Sequence, residues 1–283
     1  MKTPTICVLG SVNLDLIIQT KTLPRAGETI AGGHFLSLPG GKGANVALAA
    51  QRLGAAVELR AAIGNDDYAV QALGFLKEEG VDLSGLVSVT GSHTGLAFIN
   101  VSSDGENQIA VASGANAEFT PEKLSPIKTG AIITQFEIPL ETIKAAIKNY
   151  EGFVSLNASP VTNGLSELTA YTDLIIVNAG EYDAYKTVLD NYEGLLAVTH
   201  GGDGASLFQN GETLATSKPP VINVVDTTGA GDCFAGALTV ALIEGKSPQE
   251  ALDFACIAGA LTTTKMGTQS ASPKRAEVNA LLA

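Results

Sequence analysis

From Ala131 onward the chain alternates short β-rich runs with amphipathic helical stretches, and this order constrains the fold more than any other feature. Strands are predicted at Ala131–Gln135, Phe153–Leu156, Asp173–Val177 and Leu195–Thr199, with helices at Leu140–Tyr150 and Glu181–Leu189 set among them. A hairpin over Ala205–Leu214 and two long helices, Ala230–Glu244 and Pro248–Thr264, follow. Upstream, Thr5–Leu9 and Val57–Ile63 read as strands, Gly43–Leu53 and Asp67–Glu79 as helices. Such alternation predicts an α/β fold, a mostly parallel central sheet with helices on both faces. Two β-rich pieces, about residues 12–40 and 92–113, do not fit that layer. They contain Leu14–Gln19, Thr94–Val101 and Asn107–Ala112, the last two joined by a hairpin-like Ser102–Gly105. They predict a small separate sheet, a lid on a single domain spanning residues 1–283.

Composition narrows the function. Of 283 residues, 45% are hydrophobic, enough for a sizeable core, and only 16% are charged, so much surface is buried or hidden in an oligomer. The 17 basic against 29 acidic residues give a net charge of −12. A nucleic-acid partner is disfavoured, because such binding needs clustered Lys and Arg. An anionic ligand must then be held by backbone amides, helix N-termini or bound cations. Cys7, Cys233 and Cys256 lack metal-ligand spacing, and their odd number suits a reduced interior. The best apolar run, Phe234–Ile243, is too short to span a membrane. Asn13 and Asp15 interrupt the start before a secretory apolar core is complete, so a cytoplasmic protein is expected.

The 31 glycines exceed the roughly 20 that average usage gives. They gather in Gly40-Gly41-Lys42-Gly43, Gly201-Gly202-Asp203-Gly204 and Gly229-Ala230-Gly231-Asp232, where amides can approach phosphates closely. Neither common nucleotide loop is present. Val240 stands at the first glycine of a Walker A pattern, and Phe234 at the third glycine of a dinucleotide fingerprint.

The most specific segment is Asp226-Thr227-Thr228-Gly229-Ala230-Gly231-Asp232. A β-like run, Val221–Val225, enters an acidic turn, glycines open a helix, and Asp232 falls in its first turn. Amides of residues 229–232 are expected to point outward unpaired, as an anion hole for a phosphoryl group in transfer. Asp232 can accept the proton of an attacking hydroxyl; even a weak base suffices for a loose transition state. The competing reading is a Gly-rich helix entry with a capping Asp.

Other candidates carry similar pairs of readings. Gly40–Asn45 opens a helix whose amides and Asn45 suit a polyhydroxyl ligand, or is a tight turn. Asn13 and Asp15 follow the first strand where α/β sheets bind ligands, as Glu137 follows Ala131–Gln135; turn residues are the alternative for the former. Asn178 and Glu181 are spaced to reach a hydrated Mg²⁺, or to form a helix capping box. Phe35 and Phe98 either stack on a ligand or form the lid core.

Together these pieces resemble the ribokinase family of sugar kinases, often called the pfkB family. Gly10-Ser11-Val12-Asn13-Leu14-Asp15, Gly40–Asn45, Ser113-Gly114-Ala115-Asn116, Gln135-Phe136-Glu137, Asn178-x-x-Glu181 and Asp226–Asp232 occur in family order over nearly the whole chain. The resemblance implies a ribokinase-like three-layer fold and ATP-dependent phosphorylation of the D-ribose 5-hydroxyl, giving ribose 5-phosphate and ADP. Asp232 would be the catalytic base, and the amides of Gly229, Ala230 and Gly231 the anion hole. Asn13, Asp15, Gly41, Lys42, Gly43, Asn45, Glu137 and Asp226 would hold the sugar. Asn178 and Glu181 would order Mg²⁺, through water, and the phosphates. Thr199, Gly201, Gly202, Gly204 and Cys256 would line the nucleotide site. Activating potassium would be held at Asp226, Thr228, Thr262, Lys265 and Gly267, mainly by carbonyls.

This chain departs from the family at three places. Ala271 replaces a Ser that often completes the cation site, which reduces the expected potassium dependence. Cys256 replaces a His or Asn beside the adenine, and the 181–199 stretch is shorter by about one helix.

Asp15, Glu137, Asp226 and Asp232 would crowd the sugar site, with Lys42 the basic residue near them. A substrate already carrying a phosphate is thus disfavoured and a neutral sugar favoured. A nucleoside or deoxyribose is the alternative acceptor, with Phe35 or Phe98 as a stacking platform. A non-catalytic sugar or nucleotide sensor is a third reading, against which Asp232 speaks. The lid is expected to exclude water on closing, and its exposed edges and apolar face to pair with another lid in a homodimer.

Overall fold

The computed structural model describes residues 3–282. Eight strands form the central sheet in the order Glu212–Ser217, Ala205–Gln209, Leu195–Thr199, Leu174–Asn178, Phe153–Asn157, Ala131–Gln135, Thr5–Leu9 and Ala56–Arg60. The six from Ala56–Arg60 to Leu195–Thr199 run parallel, and the remaining two extend them as an antiparallel hairpin.

Period-two alternation decides which core each side chain joins. Cys7, Leu9, Ile132, Ile175 and Val177 face the helices Leu140–Ile147 and Ala179–Leu189. Ile6, Val8, Ala131, Ile133, Leu174 and Ile176 face the helices Lys42–Arg52, Ala230–Ile243 and Pro248–Thr262. Both faces are covered, which is why these strands read as continuous apolar runs.

The Ala230–Ile243 helix is buried along nearly its whole length. Gly236 lets it approach its neighbour: a Cβ there would stand 3.3 Å from Val46 O and Ala50 N. Pro248 in the first turn and a reciprocal Ser247–Glu250 capping box start the following helix. Both therefore present rigid N-termini at fixed places.

A second sheet, ordered His34–Gly40, Asn13–Thr20, Gly95–Ser102, Asn107–Ala112, is built from the two β-rich pieces. Its central pair is parallel and its outer pairs antiparallel. It is a single layer, so much of one face stays open. Phe35 and Phe98, candidates for lid core, are instead 59% and 48% exposed.

Three other expectations are corrected. The helix over residues 67–79 breaks at Leu73 into Asp67–Ala72 and Gly74–Glu78, with poorly helix-forming Gly74 at the junction. Val57–Ile63 divides because Ala62–Ile63 leaves the main sheet to pair with Val87–Ser88. Val221–Val225 forms no strand. Pro219 and Pro220, which have no amide to donate, precede it, and Val221, Val224 and Val225 are exposed. Among the described residues no helix is long and apolar enough to cross a membrane.

Candidate active site

Parallel strands bring their carboxyl ends to one edge, where open α/β sheets bind ligands. Gly10–Asn13, Glu137, Asn178 and the Thr199–Gly204 turn all lie at such ends. The helix openings at Lys42 and Ala230 meet at the same edge, since Asn45 and Asp232 touch.

Asp232 lies in the first turn of its helix and is only 5% exposed. Asn45 Nδ2 donates to its Oδ2 at 2.9 Å, and Lys42 Nζ stands 3.7 Å from its Oδ1. The Asp232 charge is the main reason the Lys42 ammonium is held above the ordinary lysine range. Burial opposes this, and Glu137 and Glu181 add to it. Gly229 caps the helix in the left-handed region at φ 77°, where a side chain would be strained. One expectation changes here: the Ala230 amide is not free but donates to Thr227 O at 3.3 Å. Those of Gly229, Gly231 and Asp232 make no hydrogen bond within the described residues.

Two glycine motifs interlock on the sugar side. Ala44 N donates to Ser11 O at 2.9 Å and Gly43 N to Ser11 Oγ at 3.3 Å. A Cβ on Gly41, at φ +89°, would stand 2.6 Å from Asn13 N, so only glycine lets the segments approach. Glu137 Oε2 accepts from Ser11 Oγ at 2.5 Å and from Lys42 N at 3.1 Å, which joins three sheet-edge segments. Asp15 lies diagonally across the lid strands from Gly40, where a Cβ would strike its carboxyl. Burial first, then the charges of Glu137 and Asp232, push the Asp15 carboxyl up to about 7. Asn13, Asn116 and Glu137 line a cavity of about 380 Å³.

Asn45 is turned toward Asp232, with its oxygen accepting from Thr268 Oγ1 at 3.1 Å and Gln269 Nε2 at 3.3 Å. Asp226 is likewise engaged. Its Oδ1 accepts from Thr228 N and Oγ1 at 2.9 and 2.6 Å, its Oδ2 from Gly267 N at 3.0 Å. This ties the 226–228 turn to the loop after Thr262, which also receives the Val225 and Asp226 amides at Thr263 O. Thr262 is fully buried, its hydroxyl bonded to Ala258 O, and Ala271 is buried nearby in sequence. The oxygens gathered around this turn are those of a carboxylate, hydroxyls and the backbone.

Asn178 and Glu181 form the reciprocal capping box that competed with the metal reading. The box leaves Glu181 Oε1 without a partner among the described residues, and both residues line a cavity of about 120 Å³ with Lys42, Thr199, Gly231 and Asp232. Among the described residues no cluster of three or more His, Cys, Asp or Glu side chains could hold a metal. A divalent ion here would thus take most of its ligands from phosphate and water.

Thr199, Gly201, Gly202, Gly204 and Cys256, the expected nucleotide residues, line one cavity of about 460 Å³. Its other walls were not anticipated: Pro219, Pro220, Val221, Ile222, Phe234 and Ala260. The signal was the Pro-Pro pair before an apolar run, which marks a loop wall rather than a strand. Burial holds the Cys256 thiol up at about 11. Ala230 and Gly231 border this cavity, so it opens directly on the Asp232 turn.

A family model described as pfkB family carbohydrate kinase matches residues 3–275. The ribokinase of Bacillus subtilis is 36% identical over 291 aligned residues, covering 98% of this chain and 99% of the relative. The crystal structure of ribokinase from Thermotoga maritima superimposes with a TM-score of 0.90 at 32% identity, covering 99% of both chains. The structure of Arabidopsis thaliana ribokinase complexed with ribose and ATP gives a TM-score of 0.86 at 31% identity, again covering 99% of both.

Proposed function

Because the chain belongs to the pfkB family of carbohydrate kinases, we propose that it transfers the γ-phosphoryl group of ATP to the 5-hydroxyl of D-ribose. The observation that carries this reading is the position of Asp232. It lines a small cavity with Lys42, Asn178 and Glu181, and that cavity shares Thr199 and Gly231 with the nucleotide-sized one. On its other side stand Asp15 and Glu137, whose oxygens suit sugar hydroxyls.

In the reaction, Asp232 takes the proton of the 5-hydroxyl as that oxygen bonds to the γ-phosphorus. The bond from phosphorus to the β–γ bridging oxygen breaks, and ADP leaves. The Gly229, Gly231 and Asp232 amides and the Lys42 ammonium face the charge on the transferring group, and such preorganised donors lower the barrier. Asn178 and Glu181 orient the phosphates. A Mg²⁺ arriving with ATP would supply further charge neutralisation, and the free Glu181 oxygen fits its hydration shell. Potassium would sit between the 226–228 turn and the 262–267 loop, among Asp226, Thr228, Thr262, Lys265 and Gly267. The carboxylate and carbonyl oxygens there suit a hard cation, and it would order the anion-hole turn.

The chain acts as one domain with the four-stranded sheet as its lid, and it works as a homodimer through that lid. Ile18, Phe35 and Phe98 are all at least 43% exposed on one face of the lid sheet, apolar area that a second copy would cover. A reducing cytoplasm suits its three free buried thiols.

ADP release with D-ribose, deoxyribose, adenosine, cytidine and fructose 6-phosphate tests the acceptor. The highest kcat/KM should fall on D-ribose; a higher value on a nucleoside would overturn the ribose assignment. Light scattering tests the dimer, and a monomer at micromolar concentration contradicts it.

A further inference from the structure

We propose that Asn116 is a positioning residue that sets which way round the Asn13 amide faces, so that a ligand meets a hydrogen-bond donor at Asn13. Two backbone groups beside Asn116 have no choice of role. Val12 N can only donate, and it donates to Asn116 Oδ1 at 3.0 Å. Val12 O can only accept, and it accepts from Asn116 Nδ2 at 3.1 Å. The backbone therefore fixes the Asn116 amide, which sequence and side-chain shape alone leave ambiguous.

The second Nδ2 hydrogen of Asn116 goes to Asn13 Oδ1 at 2.8 Å. Asn13 must show its oxygen to Asn116 and turn its NH₂ away. That NH₂ has no protein partner among the described residues, and Asn13 and Asn116 both line the cavity of about 380 Å³. The pair is 5% and 2% exposed, so water does not compete for the bond between them. Gly95 makes room for it, because a Cβ there would collide with Asn13 Oδ1 and Asn116 Nδ2.

Asp15 lies two residues along the same strand and so on the same face as Asn13. The cavity thus offers a donor at Asn13 beside a carboxylate acceptor at Glu137, with Asp15 on the same strand face as Asn13. A ligand group that receives from one and donates to the other is a hydroxyl. This selects polyols over ligands that only accept or only donate, and it gives the Ser113-Gly114-Ala115-Asn116 motif a role. The link to the sugar rests on the ribose kinase reading above; the relay itself does not.

The test compares N116D with N116A, each against the parent at the same pH. The introduced carboxylate can still accept from Val12 N but, ionised, cannot donate to Asn13, so the Asn13 amide turns round and shows its oxygen to the cavity. We expect N116D to raise the ribose KM about tenfold at pH 9, with kcat and the MgATP KM changed less than about threefold. The effect should shrink toward pH 6, where the introduced carboxyl, once protonated, donates again. N116A removes more atoms but forces no inversion, so its ribose KM should rise less. A KM in N116A equal to or above that in N116D at pH 9 would overturn the relay.

Should N116D fail to fold, N13D on the intact Asn116 scaffold replaces the cavity donor by an acceptor and should raise the ribose KM by about as much. An unchanged KM would contradict the proposal. The relay can also be read without turnover, from the Asn13 side-chain amide signals of ¹⁵N-asparagine-labelled protein, assigned by their loss in N13D. They should move in N116D before any sugar is added. If they move but ribose is not phosphorylated, the ribose reading fails and the relay stands; if they do not move, the relay fails.

Discussion

Asn45 Nδ2 donates to Asp232 Oδ2 at 2.9 Å, and Asn45 Oδ1 is itself fixed by Thr268 and Gln269. The proposed base is thus oriented by a buried amide that has its own supports. We predict that N45A lowers kcat about tenfold, the scale of one buried hydrogen bond to a charged group. Sugar KM should change little. Steady-state kinetics with the acceptor varied at saturating MgATP would check the split.

Lys42 stands between Asp232 and the Asn178–Glu181 box. Its ammonium stays charged, held so chiefly by Asp232. It should therefore act on the transferring phosphoryl group more than on the sugar. K42A is expected to reduce kcat about a hundredfold, comparable to losing one transition-state donor, with sugar KM within about threefold of the parent. A purely KM effect would place Lys42 on the sugar alone.

Asp15 gives a pH signature. Its carboxyl is raised to about 7 by burial, Glu137 and Asp232, so it is protonated at pH 5 and ionised at pH 8. An ionised Asp15 accepts a sugar hydroxyl, so sugar KM should fall as pH rises through 7. Stability moves the other way. A raised carboxyl favours the folded state at low pH, fully below its unfolded value near 3.9; that contribution is lost as pH rises through 7. D15N should therefore melt at least about 3 °C above the parent at pH 8, and the difference should narrow at pH 5. Thermal melts at the two pH values would check this.

How far the sequence reaches depends on what each signal encodes. The strand at Thr5–Leu9 is legible to the residue because burial on both faces leaves an unbroken apolar run, bounded by Gly10. The lid is legible as two misfit β pieces. Phe35 and Phe98 are not placed by sequence, because an aromatic on a strand looks the same whether the sheet has one layer or two. Val221–Val225 reads as β-like for its β-branched side chains, although Pro219 and Pro220 already argue against a strand. Within the site, spacing points to Asp232, Lys42 and Glu137. It does not tell that Asn45 holds Asp232, or that Asp226 accepts from Gly267, since those contacts join residues 187 and 41 positions apart.

Donor choice follows from the walls of the nucleotide cavity. Among its lining side chains the only polar groups are threonine hydroxyls and the neutral Cys256 thiol, and none is charged. Apolar walls reject a differently substituted base weakly. The kcat/KM for GTP should lie within about a hundredfold of that for ATP, and C256A should leave the ratio unchanged. A donor series at fixed ribose would check it.

The most direct test of the central claim is ribose 5-phosphate formation by the parent and by D232N, followed by mass spectrometry with MgATP and D-ribose. The reading predicts stoichiometric ribose 5-phosphate and ADP from the parent, and at least about a hundredfold slower formation by a D232N protein that still binds MgATP. Equal rates in the two proteins would contradict the assignment of Asp232 as the base.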